Sequence, residues 1–228
     1  MASTSDFSIA QTPEEVAAAA AATIEDYAAV AKSYAAGNMN HDVSQNLNAM
    51  LAPLRDRASP LDVLDVCCGS GRDLVALQRL GHSPVGLDGV PAFCMMSRVL
   101  SGAEVWEQLL TELDLPDARF DAVFCNACLF HVPSAALPAT LRALADTLRP
   151  GGILFVSNAH GFGEDREGWT HGRTPATRSY VTWLSEATWV ELVKAETGLI
   201  LLESYYRPPE RPPSQQPFLA TVWQKPAA

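Results

Sequence analysis

The stretch that most limits what this chain can become is LDVLDVCCGSGRDL, residues 61–74. An apolar run ends on an acid, Asp65. A turn of small residues follows (Cys67, Cys68, Gly69, Ser70, Gly71), and Arg72 and Asp73 then open a helical pattern. This reads as a buried parallel strand, a turn where side chains would obstruct the backbone, and a helix whose first N–H groups face the turn's occupant. Two occupants compete. A dinucleotide needs G-x-G-x-x-G, and the third small position counted from Gly69 and Gly71 is Leu74. A pyrophosphate would also be repelled by Asp65. A cofactor carrying a sulfonium and an ammonium, S-adenosylmethionine (SAM), is attracted by that acid, so the turn fits SAM.

With 228 residues, 48% hydrophobic and 18% charged, the chain has material for one large core. We read 1–12 as a disordered tail and 13–228 as a single domain, with a helical cap over 13–58 and a catalytic core over 59–228. The net charge of −10, with no basic patch, weighs against nucleic acid or anionic lipid as a partner. A small-molecule substrate is untouched by that argument. No apolar run approaches a membrane span, and no secretory signal pattern opens the chain, so the expected location is the cytoplasm. The five cysteines, Cys67, Cys68, Cys94, Cys125 and Cys128, do not form a secreted disulfide framework. Zinc would need four converging ligands, so the thiols read as small buried hydrophobes and no metal is expected.

Thr12-Pro13-Glu14-Glu15 is a helix start, with Thr as N-cap and Pro at the first helical position. The Ala-rich run to Ala36 is helical, in one or two pieces, and ends at Gly37–Asn38. Tyr27 and Tyr34 share one face, which either packs on the sheet or closes over the cofactor. Residues 40–46 form a polar cluster before a helix over Leu47–Leu54. The cluster is either a solvated loop capped by Ser44 or Asp42, or a lid that lends hydrogen bonds to a small polar substrate.

The helix after the turn spans Arg72–Leu80 and stops at Gly81. A second strand, Val85–Asp88, places Asp88 to accept both ribose hydroxyls. A helix over Pro91–Gly102 precedes a third strand, Ala103–Gln108. Adenine would rest among apolar side chains at Leu109 and Leu110, its amino group served by backbone or by Gln108. Phe120–Leu129 is an apolar fourth strand with Asn126 near its carboxyl end, where a parallel sheet places chemistry. Phe130 and His131 stand at the rim. A helix over Pro138–Leu148 and a fifth strand, Ile153–Ser157, lead to a long irregular segment, Asn158 to about Pro175, carrying Trp169 and Arg173. A helix over Ser185–Thr197 and a sixth strand, Leu199–Tyr206, follow. A Pro-rich connection, Arg207–Pro217, joins the seventh strand, Phe218–Gln224.

This order resembles a class I SAM-dependent methyltransferase over residues 24–225. The implied fold is α/β and Rossmann-like, with a seven-stranded, mostly parallel sheet ordered 3-2-1-4-5-7-6 under an N-terminal helical cover. Narrower strings resemble the ovothiol-biosynthesis methyltransferase that acts on the imidazole π nitrogen of 5-thiohistidine (5-mercaptohistidine). They are HDVSQN at 41–46, GRDL at 71–74, GHSPVGLDG at 81–89, NACLFHVP at 126–133, LRPGGILFVSN at 148–158, YYRPP at 205–209 and QQPFLATVW at 215–223. The pairs Gly168–Trp169 and Gly172–Arg173 add to them.

That resemblance implies SAM as cofactor, S-adenosyl-L-homocysteine as its product, and no metal. It implies a thiol-imidazole amino acid as substrate and a separate sulfoxide synthase as pathway partner. Asp65, Cys67, Gly69 and Gly71 would hold the methionine end, Asp88 and Gly89 the ribose, and Gln108 and Leu109 the adenine. Asn126 would face the methyl group, with His41 and Tyr34 orienting the acceptor. Tyr34, His41, Gln45, Phe130, Trp169, Arg173, Tyr206 and Arg207 would line the substrate. Two positions depart from the pattern. Cys67 stands where glycine is usual, which implies a backbone without positive-φ freedom, and Leu109 replaces the usual acid. An oxygen acceptor would need a base and would promote His131. A SAM-binding partner protein without catalysis is the third reading.

Overall fold

The computed structural model describes residues 9–212 and 215–227. Residues 1–8 of the tail expected over 1–12, positions 213–214 of the Pro-rich connection and residue 228 lie outside the described residues. In chain order the strands are β1 (Asp62–Val66), β2 (Ser83–Asp88), β3 (Val105–Glu107), β4 (Phe120–Asn126), β5 (Leu148–Ala159), β6 (Arg166–His171), β7 (Arg178–Trp183), β8 (Ile200–Arg207) and β9 (Phe218–Gln224). The helices are α1 (Pro13–Asn38), α2 (Ser44–Leu51), α3 (Arg72–Arg79), α4 (Pro91–Ser101), α5 (Leu137–Asp146) and α6 (Glu186–Thr197). Seven strands form one sheet ordered β3-β2-β1-β4-β5-β9-β8. β9 runs antiparallel to both neighbours, and the other pairs are parallel. This is the Rossmann-like order expected from the sequence.

The central strands are apolar throughout because both faces of the sheet are covered. Along β1, Val63 joins Phe124, Phe155 and Met50 on the α2 side, while Leu64 and Val66 join Val123, Leu141 and Leu144 on the other. Each such side chain contributes roughly 1.5–3 kcal/mol on full burial. The α2 side opens earlier than the apolar pattern suggests. Asp42 Oδ1 accepts from Ser44 N at 2.9 Å, so the helix starts at Ser44, and its tail from Ala52 to Leu54 tightens to a 3₁₀ turn. β4 is likewise shorter than the apolar run to Leu129, because Ala127 takes φ +63° and Leu129–His131 form a 3₁₀ turn.

α1 is one unbroken helix. Thr12 and Glu15 cap it reciprocally, with Glu15 N donating to Thr12 Oγ1 (3.2 Å) and Thr12 N to Glu15 Oε2 (3.0 Å). The backbone before it is held too, since Ala10 N donates to Tyr180 Oη at 2.9 Å.

The segment expected to be irregular folds instead. β6 and β7 pair in register from Arg166↔Trp183 to His171↔Arg178, forming a separate two-stranded sheet against α1. The reason is tertiary. A lone hairpin is marginal in water, and this one is anchored on a fully buried acid of the helix, Asp26. Asp26 accepts from Arg173 N, Arg173 Nη1, Ser179 Oγ and, at 2.6 Å, Thr177 Oγ1. Burial pushes its carboxyl upward, but the bonds from Ser179, Thr177 and Arg173 outweigh that and hold it below the usual carboxylate range. Asp26→Ala therefore strands several donors and a guanidinium at once. Urea unfolding is expected to show a loss of about 3 kcal/mol; a loss under 1 kcal/mol would mean that apolar contacts, not this acid, hold the hairpin.

Candidate active site

The turn after β1 brings two acids together at the carboxyl ends of β1 and β2. Asp88 is 5% exposed. Its Oδ2 accepts from Gly69 N at 2.9 Å and its Oδ1 from Val90 N at 2.8 Å. Burial nevertheless pushes its carboxyl up to about 6. Asp65 is 2% exposed, and its Oδ2 has no hydrogen-bond partner among the described residues. Burial, and then the charge of Asp73, hold it well above the usual carboxylate range. An orphaned buried carboxylate oxygen is costly and calls for a ligand of opposite charge.

Cys67 corrects one expectation. Its φ is +56°, so the backbone adopts the left-handed conformation with a side chain in place, at a cost of roughly 1–2 kcal/mol. Gly69 and Gly71 follow at φ +54° and +92°. The Cys67 thiol is pushed well above its ordinary range by its neighbour Cys128 and by burial, so it is an inert wall group and not a nucleophile. All five cysteines are free thiols.

α1 lies across this groove. A Cβ on Gly89 would stand 2.7 Å from Ile24 Cδ1 and 3.2 Å from Leu109 Cδ2. Tyr27 Oη sits 3.0 Å from His131 Nε2, and His131 Nδ1 lies 2.9 Å from Tyr180 O. A carbonyl only accepts, so Nδ1 carries the proton and Tyr27 donates to Nε2. Burial lowers His131 to about 4, so it is neutral. Tyr34 packs edge-on to Tyr27 with ring centroids 5.2 Å apart. At the helix end, Arg72 Nη1 donates to Asn38 O at 3.0 Å. The tyrosine face thus packs on Phe93 of α4 and on His131.

The remaining expected residues divide. Asn126, at the end of β4, accepts from Asn46 Nδ2 (2.9 Å) and donates to Asp73 Oδ2 (3.4 Å). Asp73 is held by Arg72 on both oxygens, at 2.6 and 2.8 Å. Arg207 ends β8 beside Asp42, and its buried Nε has no partner among the described residues. His41 and Gln45 are exposed at the start of α2. The Phe130 ring lies tilted against His131, with centroids 4.3 Å apart.

Others have engagements elsewhere. Arg173 is bonded to Asp26 and lies over the Tyr27 ring at 3.5 Å. Trp169 packs on Tyr180 under Arg178, with the N-terminal part of α1. Tyr206 Oη donates to Glu186 Oε2 at 2.7 Å. Both ends of the Gln108 amide bond the Asp114 backbone (3.1 and 2.9 Å), which leaves the backbone for an adenine amino group. Asn46, Tyr205, Arg72 and Asp73 were not singled out from the sequence, though each falls in a quoted string. A cleft of about 500 Å³ lined by Asn48, Leu51, Arg55, Arg57, Ser59 and His82 lies at the amino ends of the strands and contains none of the expected residues.

Residues 35–203 match the family described as a methyltransferase domain. The chain belongs to that methyltransferase family. Among solved structures, this methyltransferase domain is similar to the 1,6-didemethyltoxoflavin-N1-methyltransferase of Burkholderia thailandensis, solved with 1,6-didemethyltoxoflavin and S-adenosylhomocysteine bound. The TM-score is 0.77 at 22% identity, over 97% of this chain and 94% of that one. The [4+2]-cyclase SpnF is also similar, with a TM-score of 0.68 at 16% identity over 98% of this chain and all (100%) of that one. At such identities the likeness is one of fold, and one fold hosts different reactions. By sequence, the ubiquinone biosynthesis O-methyltransferase of Xylella fastidiosa (strain M23) is 41% identical over 104 residues, 42% of this chain and 40% of that protein. An uncharacterized methyltransferase of Synechocystis sp. is 33% identical over 100 residues, 43% of this chain and 47% of that protein. These matches span less than half the length of either relative.

The glycines of the site differ in what surrounds them. A Cβ on Gly71 would stand 2.9 Å from Ser97 Cα and Cβ on α4, at a φ that side chains resist, whereas on Gly89 it would meet the movable tip of Ile24. Gly71→Ala is expected to cost about 2 kcal/mol or more and Gly89→Ala under about 1 kcal/mol in urea unfolding. The reverse order would mean that α1 is pinned tighter than the α3–α4 contact.

Proposed function

We propose that this protein is a SAM-dependent methyltransferase of a small molecule, and more narrowly that it methylates the imidazole π nitrogen of 5-thiohistidine. The fit of the cofactor rests on Asp65, whose orphaned buried oxygen is complementary to a cationic amino-acid end. Asp88 keeps two lone-pair directions after its two backbone bonds, enough for a ribose diol. Leu109 and the Gln108 backbone flank an adenine under Ile24. When bound, SAM supplies an electrophilic methyl group on a sulfonium.

What the chain itself does is align and exclude water. α1 roofs the groove, and Asn126 stands at its mouth. The observation that carries the narrower reading is the state of His131. Its ring is neutral, both nitrogens are engaged, and it is not poised as a base for a hydroxyl acceptor. An imidazole with a reference pKa of about 6.5 needs none, being largely neutral at pH 7. The sequence strings that resemble the ovothiol methyltransferases favour the same substrate. Selectivity against the more nucleophilic thiolate falls to Asn126, His41 and Tyr34. Arg207 rather than the already bonded Arg173 is the fork for the substrate carboxylate.

Incubation with SAM and 5-thiohistidine should give π-N-methylated product by NMR. S-methylation, or turnover of a phenol with none of the imidazole, would overturn the narrower reading. Alanine at Asp65 or Asp88 should weaken SAM binding at least about tenfold by calorimetry. pH gives an independent check. Both carboxyls are raised in the free protein, Asp88 to about 6, and the ligand favours their charged forms. Binding should therefore release protons, and affinity should weaken as pH falls through about 6. Constant affinity from pH 5 to 8 would refute this role for the two acids.

A further inference from the structure

Asn126 is not free to turn its amide, and the groups that fix it come from four other elements. Asn46 on α2 is fully buried. Its Nδ2 donates to Asn126 Oδ1 at 2.9 Å, and its Oδ1 accepts from Tyr205 Oη of β8 at 3.0 Å. On the other side Asn126 Nδ2 faces Asp73 Oδ2 on α3, and Asp73 is gripped by Arg72, which also holds Asn38 O at the end of α1. The polarity of the chain is set by its one charged acceptor. A carboxylate bonded to a guanidinium on both oxygens only accepts, so Asn126 must present its NH₂ to Asp73. Its carbonyl then faces Asn46, which must answer with NH₂. The Asn46 carbonyl is thereby left for Tyr205, whose hydroxyl must donate. Reversing any one amide would set two acceptors against each other in a buried site.

We propose that Asn46 and Tyr205 are positioning residues that act through Asn126. They hold its amide in one orientation, so that one N–H and one carbonyl lone pair are offered to the methyl acceptor in fixed places. Neither residue need touch cofactor or acceptor. This inference rests on the methyltransferase reading, and it deepens it by naming what selects an acceptor with a matching donor–acceptor edge.

The test compares wild type with Tyr205→Phe and Asn46→Asp at saturating SAM. Tyr205→Phe keeps the ring and removes the terminal donor; kcat should fall about tenfold, with the Kd for SAM within about twofold of wild type. In Asn46→Asp the introduced carboxyl can replace the amide only while protonated, donating to Asn126 and accepting from Tyr205. Its kcat should therefore approach wild type at low pH and fall as pH rises, a limb that wild type lacks. A pH-independent loss, wild-type kcat at high pH, or a loss that tracks SAM affinity would overturn the proposal.

Should wild type methylate no acceptor, the functional reading fails but the positioning claim is still decided by side-chain amide NMR. Tyr205→Phe should shift the Asn126 Nδ2 signals as well as those of Asn46. Unmoved Asn126 signals would refute the relay.

Discussion

Asp65 and Asp88 end adjacent parallel strands with almost no exposure to water, and a carboxylate in that position must be bonded or neutralised. The chain meets this demand for Asp88 from its own backbone, by turning Gly69 N and Val90 N onto the two oxygens. The turn that does so takes positive φ at alternate residues, Cys67, Gly69 and Gly71. Asp65 is left incomplete. Its Oδ2 has no hydrogen-bond partner among the described residues, which lowers the fold's stability at that point.

The roof over these acids follows from the composition of α1. An alanine-rich helix has little apolar area to bury, and its buried residues, Ala19, Thr23, Asp26 and Ala31, include two polar ones. Hydrogen bonds to the hairpin add to its apolar contacts with Val90, Phe93 and Tyr180: Tyr180 N donates to Thr23 Oγ1, and Asp26 accepts from the hairpin's Thr177, Ser179 and Arg173. The hairpin is tied in turn to the rim beyond β4, where Glu167 accepts from Ser134 N and Oγ and from Thr182 Oγ1. Roof and rim are thus one polar assembly laid over an apolar sheet.

Much of this was legible in the chain. Apolar runs bounded by Gly and Pro mark the seven strands, whose order the family resemblance implied, and β9 falls on Phe218–Gln224 as read, because Pro217 precedes it and Lys225-Pro226 follow. Asp65 and Asp88 were marked by acids at strand ends. What escaped depends on partners distant in sequence. REGWTH and RSYVTW carry too weak an alternation to declare strands, and it takes α1 and the turn after β4 to give them a surface. Asn46 and Tyr205 lie in strings already noticed, yet nothing local says that their side chains meet; that follows from α2 packing over β4, β5 and β9, next to the edge strand β8. The ends of β4 and α2 were misplaced where a single residue, Ala127 or Asp42, overrides the apolar pattern.

Asp26 and Arg173 are 147 residues apart. At about 5–20 residues per second on a ribosome, roughly 7–30 s separate the synthesis of the acid from that of its partner. Through that interval the first helix emerges without the hairpin that will hold it. The nascent chain therefore carries a buried-acid helix with no partner for that acid until three-quarters of it has been made.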